Sequence, residues 1–398
     1  MTDLELDAAH LEARAWARAF AARSIAPRAA LLDEDPDSPE RDALLREAAH
    51  AGMIGLSLPE EWGGSGVDPV GAMVVTEELA AACAGCAVLI GATALGLLPI
   101  IATLDASLVE RLVRPLAASW STDTPRLAAL AATEPDMGSD FIQGHPGGRP
   151  RTTAVKDGGR YVVNGRKVFI SNGSLASMVT VFASLDPSKP IRGHMVCLAV
   201  PAGTPGFAVG QVFDKMGQRA SPAVELVFDD VVVPEDHRVG ADGAAWELNR
   251  LVMVMSRPGV AAIALGIARA AYEHALTYAE ARVQGGRPIV GHQATQLVLA
   301  DMATRVEAAR HLVIAAARSF AAGRPSLKLS SMAKSFASDA AVANALDAIQ
   351  ILGGIGYMRE SGVEKLLRDA KLTQIYEGTN QINRFEMMEA IAAERRQG

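Results

Sequence analysis

The sequence predicts an α+β fold in three successive parts: an N-terminal helical domain (residues 1–130), a middle β domain (131–240) and a C-terminal helical bundle (241–398). Three observations predict it. From Leu4 to about Leu130 the chain is alanine-rich with a helical pattern. From Ala131 to Gly240 it breaks into short apolar runs punctuated by Gly and Pro, with no long helical period between them. Beyond Ala244 apolar residues recur three and four apart, as at Leu299, Met302, Val306, Ala309, Val313 and Ala316, which puts one continuous seam on a helix face. A chain of 398 residues is also too long for one ordinary core.

In the first part, the apolar run Ala87 to Ala102 holds Gly91, Gly96 and Pro99, and reads as a buried central helix rather than a membrane span. The N-terminus, MTDLELDAAH, is acidic and has no basic segment ahead of an apolar stretch, so a cytoplasmic location without membrane insertion is expected. Cys83 and Cys86 form a CxxC, but no second Cys or His pair accompanies it. With Cys197 the count is odd, so small buried residues are expected rather than a metal site or a disulfide. In the middle part, Tyr161 to Val163, Asn164-Gly165 and Lys167 to Ile170 read as a hairpin on a tight turn. Further strands are expected at Met178 to Ala183, His194 to Val200, Phe207 to Phe213 and Val224 to Val233, in an antiparallel barrel or sandwich. In the last part, the regions of Pro325 and Gly353-Gly354 divide the bundle into several helices. The net charge of −7 gives no general electrostatic reason to bind nucleic acid.

Five motifs carry candidate chemistry. Thr133-Glu134-Pro135-Asp136-Met137-Gly138-Ser139-Asp140 offers hydroxyls and glycine-exposed amides to a polar ring edge or a phosphate; its composition equally suits a plain turn. In Asn164 to Gly173, Phe169 and Ser171 alternate with Val168 and Ile170 on one strand face, suited either to flanking a flat heterocycle or to a core Phe beside an exposed Ser. Arg282 to Gln293 (RVQGGRPIVGHQ) interrupts two helices, and Arg282 suits either a diphosphate or an interhelical surface turn. Gln350 to Tyr357 (QILGGIGY) has dinucleotide-like glycines but no preceding strand, so a Rossmann reading fails. Arg368 to Ile382 contains Glu377 between Tyr376 and Gly378: a solvated loop residue, or, if it faces an apolar pocket, a base whose pKa desolvation raises.

Taken together and in this order, the motifs make the chain resemble the acyl-CoA dehydrogenase family over nearly its whole length. The strongest matches are TEPDMGSD, NGRKVFISNG, KMGQRASPAVELVFDDVVVP and RDAKLTQIYEGTNQI. The resemblance implies a C-terminal four-helix bundle, a homotetramer built as a dimer of dimers, and FAD held partly across a subunit interface. It implies FAD contacts at Thr133, Ser139, Phe169, Ser171, Arg282, Gln284, Gln350, Gly354, Thr379 and Gln381. It implies substrate contacts at Ser139, Arg257, Tyr376 and Gly378, with Arg257 beside coenzyme A. Glu377 stands where most of the family keeps its catalytic carboxylate. Some relatives carry the base instead on the helix of Ser256, which cannot serve as one. Three departures stand out: Gly285-Gly286 where relatives often read Phe-Gly, a longer segment from Phe141 to Thr153, and Gly91 where some relatives carry a larger residue.

The activity implied is FAD-dependent α,β-dehydrogenation of an acyl-CoA (or acyl-carrier-protein) thioester to a trans-2-enoyl thioester. Glu377 removes the α-proton, the flavin accepts the β-hydride, and an electron-transferring flavoprotein takes the electrons. The alternatives are an acyl-CoA oxidase-like enzyme using oxygen and a non-catalytic acyl-thioester binder on the same scaffold.

Overall fold

The computed structural model describes residues 6–397; the expected helical start at Leu4 lies outside the described residues. The N-terminal part comprises α1 (Ala8–Phe20), α2 (Ala29–Glu34), α3 (Pro39–His50), α4 (Pro69–Ala82), α5 (Ala84–Thr103) and the short α6 (Ala106–Leu108) and α7 (Arg114–Ala117). Local chemistry sets the boundaries. The Asp68 side chain accepts the N–H of Gly71 and Pro69 occupies the first turn, where a missing N–H costs nothing, so α4 starts there. The predicted central helix is α5, buried on most of its surface. Gly96 is required within it: a Cβ there would meet the backbone of Ala128 and Ala129 at 2.6 and 2.5 Å, so the sheet crosses α5 at closest approach. Both α5 and the later α9 (Ala245–Ala281) are long and apolar enough to span a bilayer, yet each has its most apolar window largely buried inside the protein, as core helices do.

The middle part holds β1 (Leu127–Ala131), α8 (Ser139–Gln143), β2 (Thr153–Asp157), β3 (Arg160–Ser171), β4 (Ala176–Ser184), β5 (Met195–Pro201), β6 (Phe207–Val212), β7 (Ala223–Pro234) and β8 (Arg238–Val239). Their order is β6-β7-β3-β2-β4-β5-β8, with β1 beside β4. Two sequence expectations are corrected here. The sheet is mixed rather than antiparallel, because β1 runs parallel to β4; two strands and a helix intervene between them, so no tight turn imposes the opposite direction. Asn164-Gly165 is not a turn but lies inside β3, where the pairing with β7 slips by one residue. The actual β2–β3 turn is Gly158-Gly159, both at positive φ. Gly165 serves a different need: a Cβ there would come within 2.6 Å of the Thr152 backbone.

The last part consists of α9, the small hairpin β9 (Val283–Gln284) and β10 (Arg287–Pro288), α10 (Gln293–Ala321), α11 (Leu327–Leu352), α12 (Val363–Thr373) and α13 (Asn380–Gln397). All six residues of the predicted α10 seam are buried. One large apolar cluster joins α1, α3, α4 and α5 to α9, α10 and α11, and a second fills the sheet. Cys83, Cys86 and Cys197 are free and buried.

Candidate active site

A cavity of about 1350 Å³ lies where α4, α5 and α9 meet the sheet and the loop between α12 and α13. Thr133, Ser139, Phe169, Ser171, Tyr376, Glu377, Gly378 and Thr379 all line it, although the sequence separates the first from the last by more than half the chain. The lining of the cavity is mostly apolar, with Val88, Leu95, Leu98, Met253 and Ile263 among the contributors. Glu377 itself sits in a left-handed backbone conformation, φ 51°, which is strained for a residue with a Cβ.

The surrounding structure over-determines that conformation. Arg257 on α9 donates from Nε to the Glu377 carbonyl at 3.1 Å, and Asn383 Nδ2 and Lys334 Nζ each donate to the Gly378 carbonyl at 2.8 Å. The carbonyls are thereby drawn into the bundle. The backbone N–H of Glu377 takes no acceptor among the described residues. On the carboxyl group, Ser256 Oγ donates to Oε2 at 2.5 Å. Burial raises the Glu377 carboxyl above its ordinary range, while the Ser256 hydrogen bond and the positive charges of Arg257 and Lys334 oppose the rise.

The part of the wall formed by the Thr133–Ser139 loop and β3 is fixed by a buried ion pair. Glu134 accepts from Lys167 Nζ at 2.9 Å and from the backbone N–H groups of Arg151 and Thr152. Burial penalises its charge, yet Lys167 and these N–H donors hold it below the ordinary carboxylate range. This pair ties the Thr133–Ser139 loop to β3, and the Thr133 carbonyl accepts the N–H of Val168. A second irregularity in β3 follows: Phe169 adopts φ 60°, so its ring turns out of the pleat against Phe213, 4.8 Å between centroids, and is 62% exposed. Simple alternation would have placed Phe169 and Ser171 on one face; the irregularity brings both to the cavity by another route. The hydroxyls of Thr133, Ser139 and Ser171 line the cavity with no hydrogen bond to other described residues. An exposed aromatic pair beside uncommitted hydroxyls suits a flat ring with polar edges.

Other expected positions lie away from the cavity. Arg282, Gln284, Gln350, Gly354 and Gln381 are exposed on the surface. Arg257 is fully buried under the Glu377 loop, where Nη1 donates to Ser331 and Nη2 lies 2.6 Å from Glu386. Its guanidinium is committed to that loop, not presented to a phosphate. The long segment after α8 folds back so that Arg151 pairs with Asp136 at 3.1 Å, and both side chains are mostly exposed. Reasoning from sequence missed Lys334, the Glu134–Lys167 pair and the Ser256 contact. One signal existed for Lys334: it is the lone cation between Ser330 and Ala341, a stretch made mostly of small Ser and Ala residues on a helix that is largely buried.

Models of the three acyl-CoA dehydrogenase domains match the chain: the N-terminal domain over residues 7–119, the middle domain over 129–231 and the C-terminal domain over 243–392. An acyl-CoA dehydrogenase of Bacillus subtilis is 42% identical, covering 94% of this chain and 95% of its own. A cyclohex-1-ene-1-carbonyl-CoA dehydrogenase of Geobacter metallireducens is also 42% identical, covering 92% and 94%. Among solved structures, butyryl-CoA dehydrogenase from Megasphaera elsdenii superposes with a TM-score of 0.90 at 35% identity, covering 98% of this chain and 100% of that one.

Proposed function

The chain belongs to the acyl-CoA dehydrogenase family of FAD-dependent oxidoreductases, and from that premise we propose that it oxidises an acyl-CoA thioester to the trans-2-enoyl thioester with Glu377 as the α-proton base. The observation that carries the reading is the Glu377 carboxyl: desolvated, raised above its ordinary range, and held at the cavity wall by a strained loop. Burial that raises the carboxyl strengthens its pull on the proton, while the Ser256 hydrogen bond and the charges of Arg257 and Lys334 favour its ionised form.

Thr133, Ser139, Phe169, Ser171 and Thr379 would hold FAD at the cavity wall. When bound, FAD supplies the acceptor for the β-hydride. The chain's own residues provide the rest. The free N–H of Glu377 is positioned as a donor to the thioester oxygen, where negative charge develops as the α-proton leaves. The apolar walls exclude water from the carboxylate. Gly91 on α5 and Gly259 on α9 have nothing within 4 Å of where a Cβ would stand, so the cavity is unobstructed at both positions and admits a bulky acyl group.

Outside the cavity, Arg282, Gln284, Gln350 and Gly354 share the surface with exposed apolar side chains, among them Val283, Ile355 and Tyr357. We assign these positions to an interface of a homotetramer, where they would meet the FAD of a neighbouring subunit. An electron-transferring flavoprotein is the proposed electron acceptor, and the cytoplasm the proposed location.

Glu377→Gln tests the assignment. The variant should retain FAD yet lose anaerobic flavin bleaching by acyl-CoA thioesters about 10²–10⁴-fold, the usual scale for removing a general base. Bleaching at the wild-type rate would refute the role of Glu377. Peroxide formed in step with turnover would replace the flavoprotein acceptor with oxygen.

A further inference from the structure

Lys334 is a buried cation that the proposed reaction does not use. It sits on α11 and is fully buried. Its Nζ donates to the Gly378 carbonyl at 2.8 Å and to Asn380 Oδ1 at 2.9 Å. Both acceptors are neutral. Among the described residues no carboxylate lies within ion-pair distance of it, whereas the neighbouring Arg257 has Glu386 at 2.6 Å. An isolated ammonium in a protein interior is costly unless a counter-charge compensates it. The backbone carbonyl it grips is that of the residue directly after Glu377.

We propose that Lys334 is a positioning residue for Glu377: it locks the loop that presents the carboxylate and its backbone N–H, and together with Arg257 it supplies the positive charge beside that loop. This rests on Glu377 being the base. The assignment follows from how charge is shared around the loop. Arg257 is balanced by Glu386. Asp339 pairs with Arg384 at 2.6 Å. Of the charged groups that bear on the lysine, namely Glu377, Arg257, Asp339 and Arg384, Glu377 is the one without an ion pair of its own among the described residues and exerts the largest charge effect on it, while Arg257 acts on the same carboxyl. Burial pulls the Lys334 ammonium down to about 7, and the Glu377 carboxylate is the main charge sustaining it. The charge of each group therefore favours the charged form of the other.

The arrangement has a catalytic consequence. As the α-proton passes to Glu377, negative charge leaves that carboxylate and develops on the substrate beside the same loop. A fixed cation under the loop stays within reach of the charge before and after the transfer, so the site is not left with an uncompensated lysine. Lys334 and Asn383 together hold the Gly378 carbonyl, and Arg257 holds that of Glu377, which fixes the loop on both peptides that follow the Glu377 side chain.

The test uses FAD-loaded Lys334→Met, Lys334→Gln and Lys334→Arg with Glu377→Gln as reference. For each, the rate of anaerobic flavin bleaching by an acyl-CoA thioester that the wild type accepts is measured against pH, alongside FAD content and the thermal midpoint. Removing a nearby positive charge raises a carboxyl pKa, typically by 1–3 units. The acidic limb of the Lys334→Met and Lys334→Gln profiles should therefore move up by about one pH unit or more, which is a tenfold loss of rate on that limb. FAD content should be unchanged. Lys334→Arg should keep its acidic limb at or below the wild-type position, and Lys334→Gln, which retains a donor, should lose less of the plateau rate than Lys334→Met. Profiles of Lys334→Met and Lys334→Gln that overlay the wild type would overturn the proposal, as would failure of all three variants to fold, since the lysine would then belong to the fold alone. Normal bleaching by Glu377→Gln would instead overturn the base on which the proposal rests, so the two failures are distinguishable.

Discussion

Ser256→Ala removes one hydroxyl from the site and tests how the Glu377 carboxyl is tuned. Ser256 Oγ donates to Glu377 Oε2 at 2.5 Å, in a cavity whose neighbouring walls are apolar. A hydrogen bond to an ionised group contributes about 1.5–3 kcal/mol, and one pKa unit corresponds to 1.36 kcal/mol. Loss of the bond should thus raise the Glu377 pKa by about 1–2 units, on top of the rise that burial already imposes. The sign decides the assay. Below the new pKa the carboxylate fraction falls in proportion, so bleaching of the flavin should slow by about 10–100-fold on the acidic limb. Above it the variant should recover to the wild-type plateau or exceed it, because a less stabilised carboxylate is the stronger base. The same rise acts on stability. A carboxyl whose folded pKa lies above its unfolded value stabilises the fold most when protonated, and that contribution declines as pH climbs from the unfolded pKa through the folded one. Ser256→Ala should therefore widen the alkaline decline in thermal midpoint. The measurements are anaerobic bleaching rates from pH 5 to 10 and midpoints over the same range. A uniform loss of rate at every pH, with no displacement of the acidic limb, would refute the tuning role and leave Ser256 as packing.

Two further outcomes follow from the cavity and the surface. Gly91→Phe places a ring in open space on α5, so bleaching by branched or cyclic thioesters should fall more than bleaching by short straight-chain ones; equal losses for both would mean that Gly91 does not border the acyl group. Arg282→Ala should weaken FAD retention by about 1.5–3 kcal/mol, the scale for a hydrogen bond to a charged group, and dilution should release FAD from the variant sooner than from the wild type. FAD content independent of both the substitution and protein concentration would count against an interface role.

The helical parts of the fold were legible because burial there follows one period. The α10 seam from Leu299 to Ala316 and the apolar α5 were found from spacing and composition alone. The sheet was less legible because its irregularities carry meaning that alternation cannot express. Asn164-Gly165 has the composition of a tight turn, yet Gly165 is there because the Thr152 backbone leaves no space for a Cβ. Strand direction depended on where β1 docks after its long connection, and no local residue encodes that. The site divides in the same way. Residues that face the cavity sit in conspicuous motifs rich in Gly, Ser and Thr, and eight of those named from sequence line the same cavity. Residues that act from behind the wall have no such signature: Lys334 and Arg257 lie in alanine-rich helices, and their partners are a main-chain carbonyl or a glutamate more than a hundred residues away.

That difference bears on why the Glu377 loop is built as it is. A strained residue at φ 51° persists only if surrounding contacts exclude the relaxed alternatives. Hydrogen bonds from solvent-exposed side chains would be poor at this, since such bonds exchange readily with water. Donors fixed in a close-packed helical interior are better, and the most forceful are charged ones. Arg257 and Lys334 meet that need, but each brings a buried charge that must be answered. Glu386 answers Arg257 at 2.6 Å and holds its charge locally. No described carboxylate stands that close to Lys334, and the largest charge effect sustaining it comes from Glu377, ahead of Asp339. Mechanical support for the loop and electrostatic tuning of Glu377 therefore reside in the same side chain, and a substitution that preserves one while removing the other, Lys334→Gln against Lys334→Arg, separates them.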